Sequence, residues 1–463
     1  MKKIVLSIAV IALLVFITDA CPIELTLQDC IQLALKNNND LKAYGMDAFS
    51  KSQEVKISRT EFLPSMRLQG GYSFRDRSDY FLFERHVFGP GIPPENVKFS
   101  TENQNTYGVN LVLEQPVFTG GYLTHSLKRS KLMSQEARYE IEKQQQLLVL
   151  DVKKSYYQVL REQYCLETQE KLLESKKARI TILQEQYTEG YIPKEDILQV
   201  EADLAFAELD CYQTRNRKNL ALRRLKELMV YQEAQGGQKD QESQEGDEIS
   251  LQGRLLNGSL TASLQEVKEA ARRNREELAI SLLRVKSAEE NIKLEESGFY
   301  PHISLKGSYN LQKETRIDRP QVVIVSAWMD WSLFEWGQTR AEVIRAKAVR
   351  DGLRYKHEQL QRAIMTEVEE AWMTVKEKEK LIQAQEKKLA AAECRLDTVR
   401  DKFSEGKAKP IDITEMETEL ARVYTEYIGA VADLDIALAR LETSISFYHD
   451  EWFSTKEIYK PKS

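Results

Sequence analysis

The chain has 463 residues and a formal net charge of −6, from 66 Lys and Arg against 72 Asp and Glu. With 42% apolar and 30% charged residues, disorder throughout is excluded. The mild acidity, without a dominant basic block, excludes nucleic acid as the main partner. Beyond the N-terminal segment no apolar run reaches the ~18 residues of a membrane-spanning helix, so none is expected in the mature chain.

Lys2 and Lys3 precede an apolar stretch, Ile4 to Ile17, that is too short to span a bilayer. Residues 1–20 therefore read as a signal peptide, with cleavage after Ala20. Two readings of Cys21 stay open: lipid modification of the new N-terminus, or plain signal-peptidase cleavage. The other cysteines, Cys30, Cys165, Cys211 and Cys394, have no metal-ligand spacing and are expected to be buried free thiols. The five histidines are scattered, and no HExxH, GxSxG or phosphate-binding glycine loop occurs. The sequence thus offers no catalytic residue, metal site or cofactor site, and an enzyme is not expected.

An internal duplication organises the chain. Leu27, Asn37, Leu41, Pro64, Leu68, Gly70 and Tyr72 recur as Leu264, Asn274, Leu278, Pro301, Leu305, Gly307 and Tyr309, at a constant offset of 237. Phe118, Gly121, Tyr187, Gly190 and Asp196 recur as Phe334, Gly337, Phe403, Gly406 and Asp412, at a constant offset of 216. The first half therefore carries 21 extra residues between Tyr72 and Phe118. The first repeat covers 21–230, with short helices near 26–38 and 40–62, a strand pair within 66–118 and a helical hairpin over 122–229. A Gln-, Glu-, Gly- and Ser-rich segment, 231–259, reads as a linker that buries little. The second repeat covers 260–447, with its strand pair at 303–334 and its hairpin at 337–447. A tail, 448–463, follows.

Strand character comes from alternation. Met66, Leu68, Tyr72 and Phe74 fall on one face, and Arg67, Gln69 and Ser73 on the other. Ile303, Leu305, Tyr309 and Leu311 repeat the pattern against Ser304, Lys306, Ser308 and Asn310. The return strands run through Tyr107, Val109, Leu111 and Leu113, and through Val323, Val325, Ala327 and Met329. Aromatics near the strand ends, among them Phe118, Trp328, Trp331 and Trp336, suit a bilayer interface. Hairpins of an ordinary soluble sheet are the competing reading. Against it, the strands have no partner sheet, and an open edge cannot face lipid, so closure needs strands from other copies. The extra residues between the first two strands are aromatic, and are expected to form a loop packed over the barrel mouth.

From Tyr122 to Glu189 no proline interrupts the chain, enough for a helix of about 100 Å. Val152, Val159, Leu166, Leu173, Ile180 and Tyr187 are spaced by seven, as are Val368, Val375, Ile382, Leu389, Leu396 and Phe403. Gly190 and Gly406 end these helices, and Pro193 and Pro410 prevent continuation. Returning helices follow, with Asp196 and Asp412 near their starts. The fold expected is mainly α with a small β part, built on duplicated long helical hairpins.

In order and spacing these landmarks resemble the TolC-type outer-membrane efflux proteins of diderm bacteria, from Leu25 to about Phe447. The features that carry the resemblance are the duplicated strand entry (Leu63-Pro64-Ser65-Met66, Tyr300-Pro301-His302-Ile303), the helix start (Phe118 to Gly121, Phe334 to Gly337) and the tip (Tyr187 to Gly190, Phe403 to Gly406). The resemblance implies a homotrimer whose chains each give four strands to a twelve-stranded barrel in the outer-membrane lipid. The same chains would form a twelve-helix periplasmic tunnel. It implies docking to an inner-membrane pump through a periplasmic adaptor (membrane fusion protein), and passive exit of drugs, small molecules or proteins, with no cofactor. Gly190 and Gly406 then mark the adaptor-docking tips. Asp412 and Glu415 match the acidic residues of the periplasmic constriction, and Asp196 is the first-repeat counterpart. Phe403 stands where the family has a gate tyrosine, and Ala408 where it has an arginine, so Lys407 or Lys409 would have to substitute. Asp412 also reads simply as a helix cap, with Glu415 solvated. The rival class is a periplasmic adaptor or coiled-coil scaffold without a membrane barrel.

Overall fold

The computed structural model describes residues 24–74, 76, 80–83, 97–100, 105–190, 193–231, 250–313, 321–446 and 453–455. The expected signal peptide, Cys21, most of the polar linker and most of the tail lie outside the described residues. In chain order the elements are β1 (Glu24–Leu25), α1 (Leu27–Asn37), α2 (Asn39–Thr60), β2 (Ser65–Phe74), β3 (Tyr80–Phe83), β4 (Val97–Ser100) and β5 (Asn105–Phe118). The first long hairpin, α3 (Tyr122–Thr188) and α4 (Lys194–Leu228), follows. Next come β6 (Ser250–Leu251), β7 (Gly258–Leu260), α5 (Leu264–Asn274), α6 (Glu276–Glu296), β8 (His302–Lys313) and β9 (Gln321–Asp330). The second hairpin is α7 (Gln338–Ser404) and α8 (Pro410–Ile445), and β10 (Phe453–Thr455) ends the described chain.

The duplication read from the sequence is carried into the backbone. Helices α3 and α7 both have 67 residues, and α4 and α8 have 35 and 36. Capping boxes start α1 (Thr26 with Asp29) and α5 (Ser263 with Glu266), each satisfying two N-terminal N–H groups. All ten residue pairs of β2 with β5 map onto the ten of β8 with β9 at the two sequence offsets. Ser65↔Glu114 becomes His302↔Asp330, and Phe74↔Asn105 becomes Leu311↔Gln321. Left-handed residues recur too: Gly120 with Trp336, Gly121 with Gly337, Gly190 with Gly406, and Val230 with Ser446.

Two compact units divide the chain, and each draws on both repeats. One comprises residues 47–138 and 280–357. Its four-stranded antiparallel sheet has the order β2-β5-β8-β9, which leaves β2 and β9 as edges. The register sets Met66, Leu68 and Tyr72 opposite Leu113, Leu111 and Tyr107, and Leu111 in turn opposite Tyr309. The apolar positions of all four strands therefore share one face. That face is bare, with Leu68 71% and Val325 80% exposed. On the other face Glu114 pairs with Lys306 at 3.1 Å and with Arg67 at 3.9 Å. Instead of a plain loop, the extra residues of the first strand connection contain a second antiparallel hairpin, β3 with β4. The rest of that connection lies outside the described residues.

The other unit comprises residues 1–46, 139–279 and 358–463, and holds the main core. Val152, Val159, Leu166, Val368, Val375, Ile382, Leu389 and Leu396 are buried, as the seven-residue spacing requires. Leu173 and Ile180 are half-buried, and Tyr187 and Phe403 at the tip ends are exposed. Cys30, Cys165 and Cys211 are buried, and burial pushes the Cys30 and Cys165 thiols up to about 11. Cys394 corrects the expectation: it is exposed, because it lies two residues before the buried Leu396 and off the seam.

The end of the linker also departs from expectation. Leu251, Leu255 and Leu260 are buried, so this stretch packs on the helices. The polar composition belongs to residues 232–249. Side chains satisfy the strap's backbone. Tyr156 donates to the Gln252 carbonyl (3.1 Å), Lys376 to that of Leu260 (2.7 Å) and Trp372 to that of Ala262 (3.2 Å). Glu379 accepts from the Leu260 N–H (2.6 Å) and Asp435 from the Leu256 N–H (2.8 Å).

Asp435 is 3% exposed, and burial pushes its carboxyl from 3.8 up to about 7, against the backbone N–H groups of Leu256 and Gly258. The folded chain therefore holds this proton more tightly than the unfolded chain does. Stability from this group rises as pH falls from about 7 toward 3.8, and does not change above that window. Asp435→Asn is expected to remove the effect. In detergent melts, the advantage of the native protein over the variant should grow as the pH is lowered through the window. A difference independent of pH would contradict the assignment.

Candidate functional site: the hairpin tips

Each long hairpin turns on a glycine held in the left-handed region, Gly190 at φ +82° and Gly406 at φ +71°. The Gly190 N–H bonds the Tyr187 carbonyl and the Gly406 N–H that of Phe403, both at 2.9 Å, which satisfies carbonyls freed at the helix ends. A Cβ at either glycine would meet nothing within 4 Å, so both tips are open. Phe403 is exposed beside its tip, and Lys407 pairs with Glu405 at 2.7 Å across the turn.

Asp412 and Glu415 lie one turn apart near the start of α8. The Asp412 carboxylate accepts the Lys409 backbone N–H at 2.7 Å, so it caps the helix. Glu415 is exposed. Asp196 is the third residue of α4.

Sequence reading did not single out the carboxylate that ties the two hairpins together. Glu417 on α8 is 13% exposed and accepts from Arg179 (3.1 Å) and Ser175 (3.0 Å), both on α3. Arg400 on α7 lies 3.5 Å from the same carboxylate, and Arg179 also donates to Thr414 at 3.1 Å. One carboxylate thus joins three helices, two of one hairpin and one of the other. Lys153 and Glu442 make a further α3–α8 pair. A signal was present: at the offset of 216, Arg179 recurs as Arg395 and Glu201 as Glu417. Among the described residues no cluster of metal-binding side chains occurs.

A duplicated pair of long helical hairpins, with a four-stranded sheet whose apolar face is bare, defines an outer-membrane channel of the export type. The outer membrane efflux protein family matches residues 30–229 and 267–446, and the chain belongs to it. Solved structures share the fold. VceC of Vibrio cholerae is 13% identical at a TM-score of 0.70, over 91% of this chain and 96% of that one. MtrE of Neisseria gonorrhoeae, in its open state, is 15% identical at 0.70, over 91% and 89%. The CmeC outer membrane channel of Campylobacter jejuni is 15% identical at 0.69, over 90% and 85%. No curated protein sequence matches the chain. The scaffold reading without a membrane barrel finds no support in these likenesses.

Proposed function

We propose that three copies close into one barrel and one tunnel, forming a passive exit duct without chemistry of its own. Twelve strands, four from each copy, satisfy the barrel sizes known in outer membranes. The duct receives drugs, small molecules or proteins from an inner-membrane pump, through a periplasmic adaptor seated on the Gly190 and Gly406 tips. The export signal at 1–20 delivers the chain, and Cys21 is the candidate lipid attachment point. The observation that carries this reading is the bare apolar face on a sheet whose two edges have no partner among the described residues. Deleting the gene and profiling sensitivity to toxic compounds and the secreted proteins tests it. An unchanged profile, or recovery of the protein as a soluble periplasmic monomer, would refute it.

Asp412, Glu415 and Asp196 form the constriction in this reading. Three-fold symmetry multiplies each carboxylate into a ring, which attracts cations and repels anions. Because Asp412 also caps α8, the test must separate charge from capping. Asp412→Asn keeps an acceptor for the Lys409 N–H and removes the charge. Combined with Glu415→Gln, it is expected to lower block by multivalent cations in planar-bilayer recordings. Unchanged block would leave these residues as cap and surface only.

A further inference from the structure

We infer that β9 carries a binding strip for cationic amphiphiles on the face of the sheet that lines the pore, with Trp328 and Ile324 taking the apolar body and Asp330 the positive head. This rests on the closed barrel proposed above and assigns a solute class to its wall. With the apolar face turned to lipid, the opposite face borders the lumen, and alternation along a strand is expected to keep it polar. Strands β2 and β8 follow that rule, with Arg67, Gln69 and Ser73, and with Ser304, Lys306, Ser308 and Asn310, on the lumenal side. Strand β9 breaks it. Its lumenal positions are Val322, Ile324, Ser326, Trp328 and Asp330, directly opposite Asn310, Ser308, Lys306, Ser304 and His302.

The duplication measures this departure. At the offset of 216 the same five positions in β5 are Thr106, Gly108, Asn110, Val112 and Glu114. The acidic end is kept, while Thr, Gly and Val have become Val, Ile and Trp. All three apolar side chains are exposed, Trp328 to 59%. Trp328 is nevertheless held in place. Its indole N–H donates to the Ser326 hydroxyl at 2.8 Å, and the Lys306 ammonium lies 5.7 Å from the ring centre. The hydrogen bond draws the ring toward Ser326, the polar interruption between Trp328 and Ile324, and engages the ring's only donor. An apolar strip about 20 Å long results, running from Val322 to Trp328.

Charge selects the solute. Lys306, the cation beside the strip, is already engaged by Glu114 at 3.1 Å, and Arg67 approaches the same carboxylate at 3.9 Å. Asp330 differs. It is exposed, and it has no ion-pair partner among the described residues. It stands two residues beyond Trp328 on the same face, about 7 Å along the strand. A cation between them is attracted twice, by the carboxylate and by the negative face of the indole. Lys306 repels a positive head placed further along the strip, so the head stays at Asp330 and the apolar body lies over Trp328 toward Ile324. An anion has no equivalent seat, because the cation that faces the strip is paired.

Current recordings from full-length channels in planar bilayers test the strip. The probe is naphthylmethylammonium, with naphthylmethanol and naphthoate as its neutral and anionic counterparts. The ammonium is expected to interrupt the current for longer than either counterpart. Its mean block time should fall about threefold in Trp328→Val and in Asp330→Asn, the effect of losing one exposed cation–π or ion-pair contact. Valine is what the first repeat holds at this position, so the strand is expected to tolerate it, and an unchanged unblocked conductance shows that each variant has assembled. Equal block times for the three probes, or block unchanged in both variants, would overturn the inference. So would block that disappears only with Asp412→Asn and Glu415→Gln, since the cation would then be held at the tips. In each of these cases the pore itself stands. A protein that forms no conducting pore overturns the barrel and the strip together.

Discussion

Replacing Glu417 by alanine will raise the resting conductance of the channel several-fold in planar bilayers. Glu417, on α8, receives groups from both α3 and α7. With Glu417 13% and Arg179 19% exposed at the side chain, the pair is largely withdrawn from water. Removing the carboxylate takes the ion-pair partner from a partly buried arginine, which costs about 3 kcal/mol. That cost falls on the arrangement in which the two hairpins are packed together, because parting them returns Arg179 to water. The comparison is Lys388–Glu426, a pair within the second hairpin whose side chains are 43% and 35% exposed. Surface pairs of that kind contribute about 0–1 kcal/mol, so Glu426→Ala should leave the conductance unchanged. Equal conductance in Glu417→Ala and the native channel would show that this carboxylate holds the hairpins without holding the gate.

This junction also addresses the departures at Phe403 and Ala408, which lack the hydroxyl and the guanidinium of the resembled family's gate. Lys407 is paired to Glu405 two residues away, so it is engaged within the turn. The cross-hairpin tie lies further along α8, at Glu417, and takes its cations from Arg179 and Arg400.

What could be read from the sequence was whatever depends on periodicity and repetition. The seven-residue spacing from Val152 and from Val368 located the buried seams, because a helix brings such residues onto one side whatever surrounds it. The alternation in Met66–Phe74 located the strand faces for the same reason. Gly190 and Gly406 located the tips, because few other residues take the left-handed position. Pairing between distant segments was not legible. Nothing local to Glu417 distinguishes it from Glu419 or Glu426, and its role comes from a chain segment about 240 residues earlier. The buried strap was not legible because, in the composition of 231–259, a polar first part outweighs Leu251 and Leu255. Cys394 was misjudged because a residue type predicts burial less well than its phase on the helix does.

The tips give the second large effect, and here conformation can be separated from surface. Gly190→Glu and Gly406→Glu are expected to abolish export while the protein still reaches the outer membrane. Since a Cβ at either site meets nothing within 4 Å, no clash is involved. At φ of +82° and +71° an ordinary side chain costs about 1–2 kcal/mol, which is enough to reshape a turn held by a few hydrogen bonds. Asparagine tolerates this region, so Gly190→Asn and Gly406→Asn should retain most export. Growth of a deletion strain carrying each variant, at toxic concentrations of a substrate found by profiling, reads the outcome. Cross-linking to the adaptor reports whether docking is the step that fails. If the Glu variants export normally, the tips are not where the adaptor docks. If Asn and Glu fail alike, the docking surface excludes any side chain there, and the left-handed backbone is not what the adaptor reads.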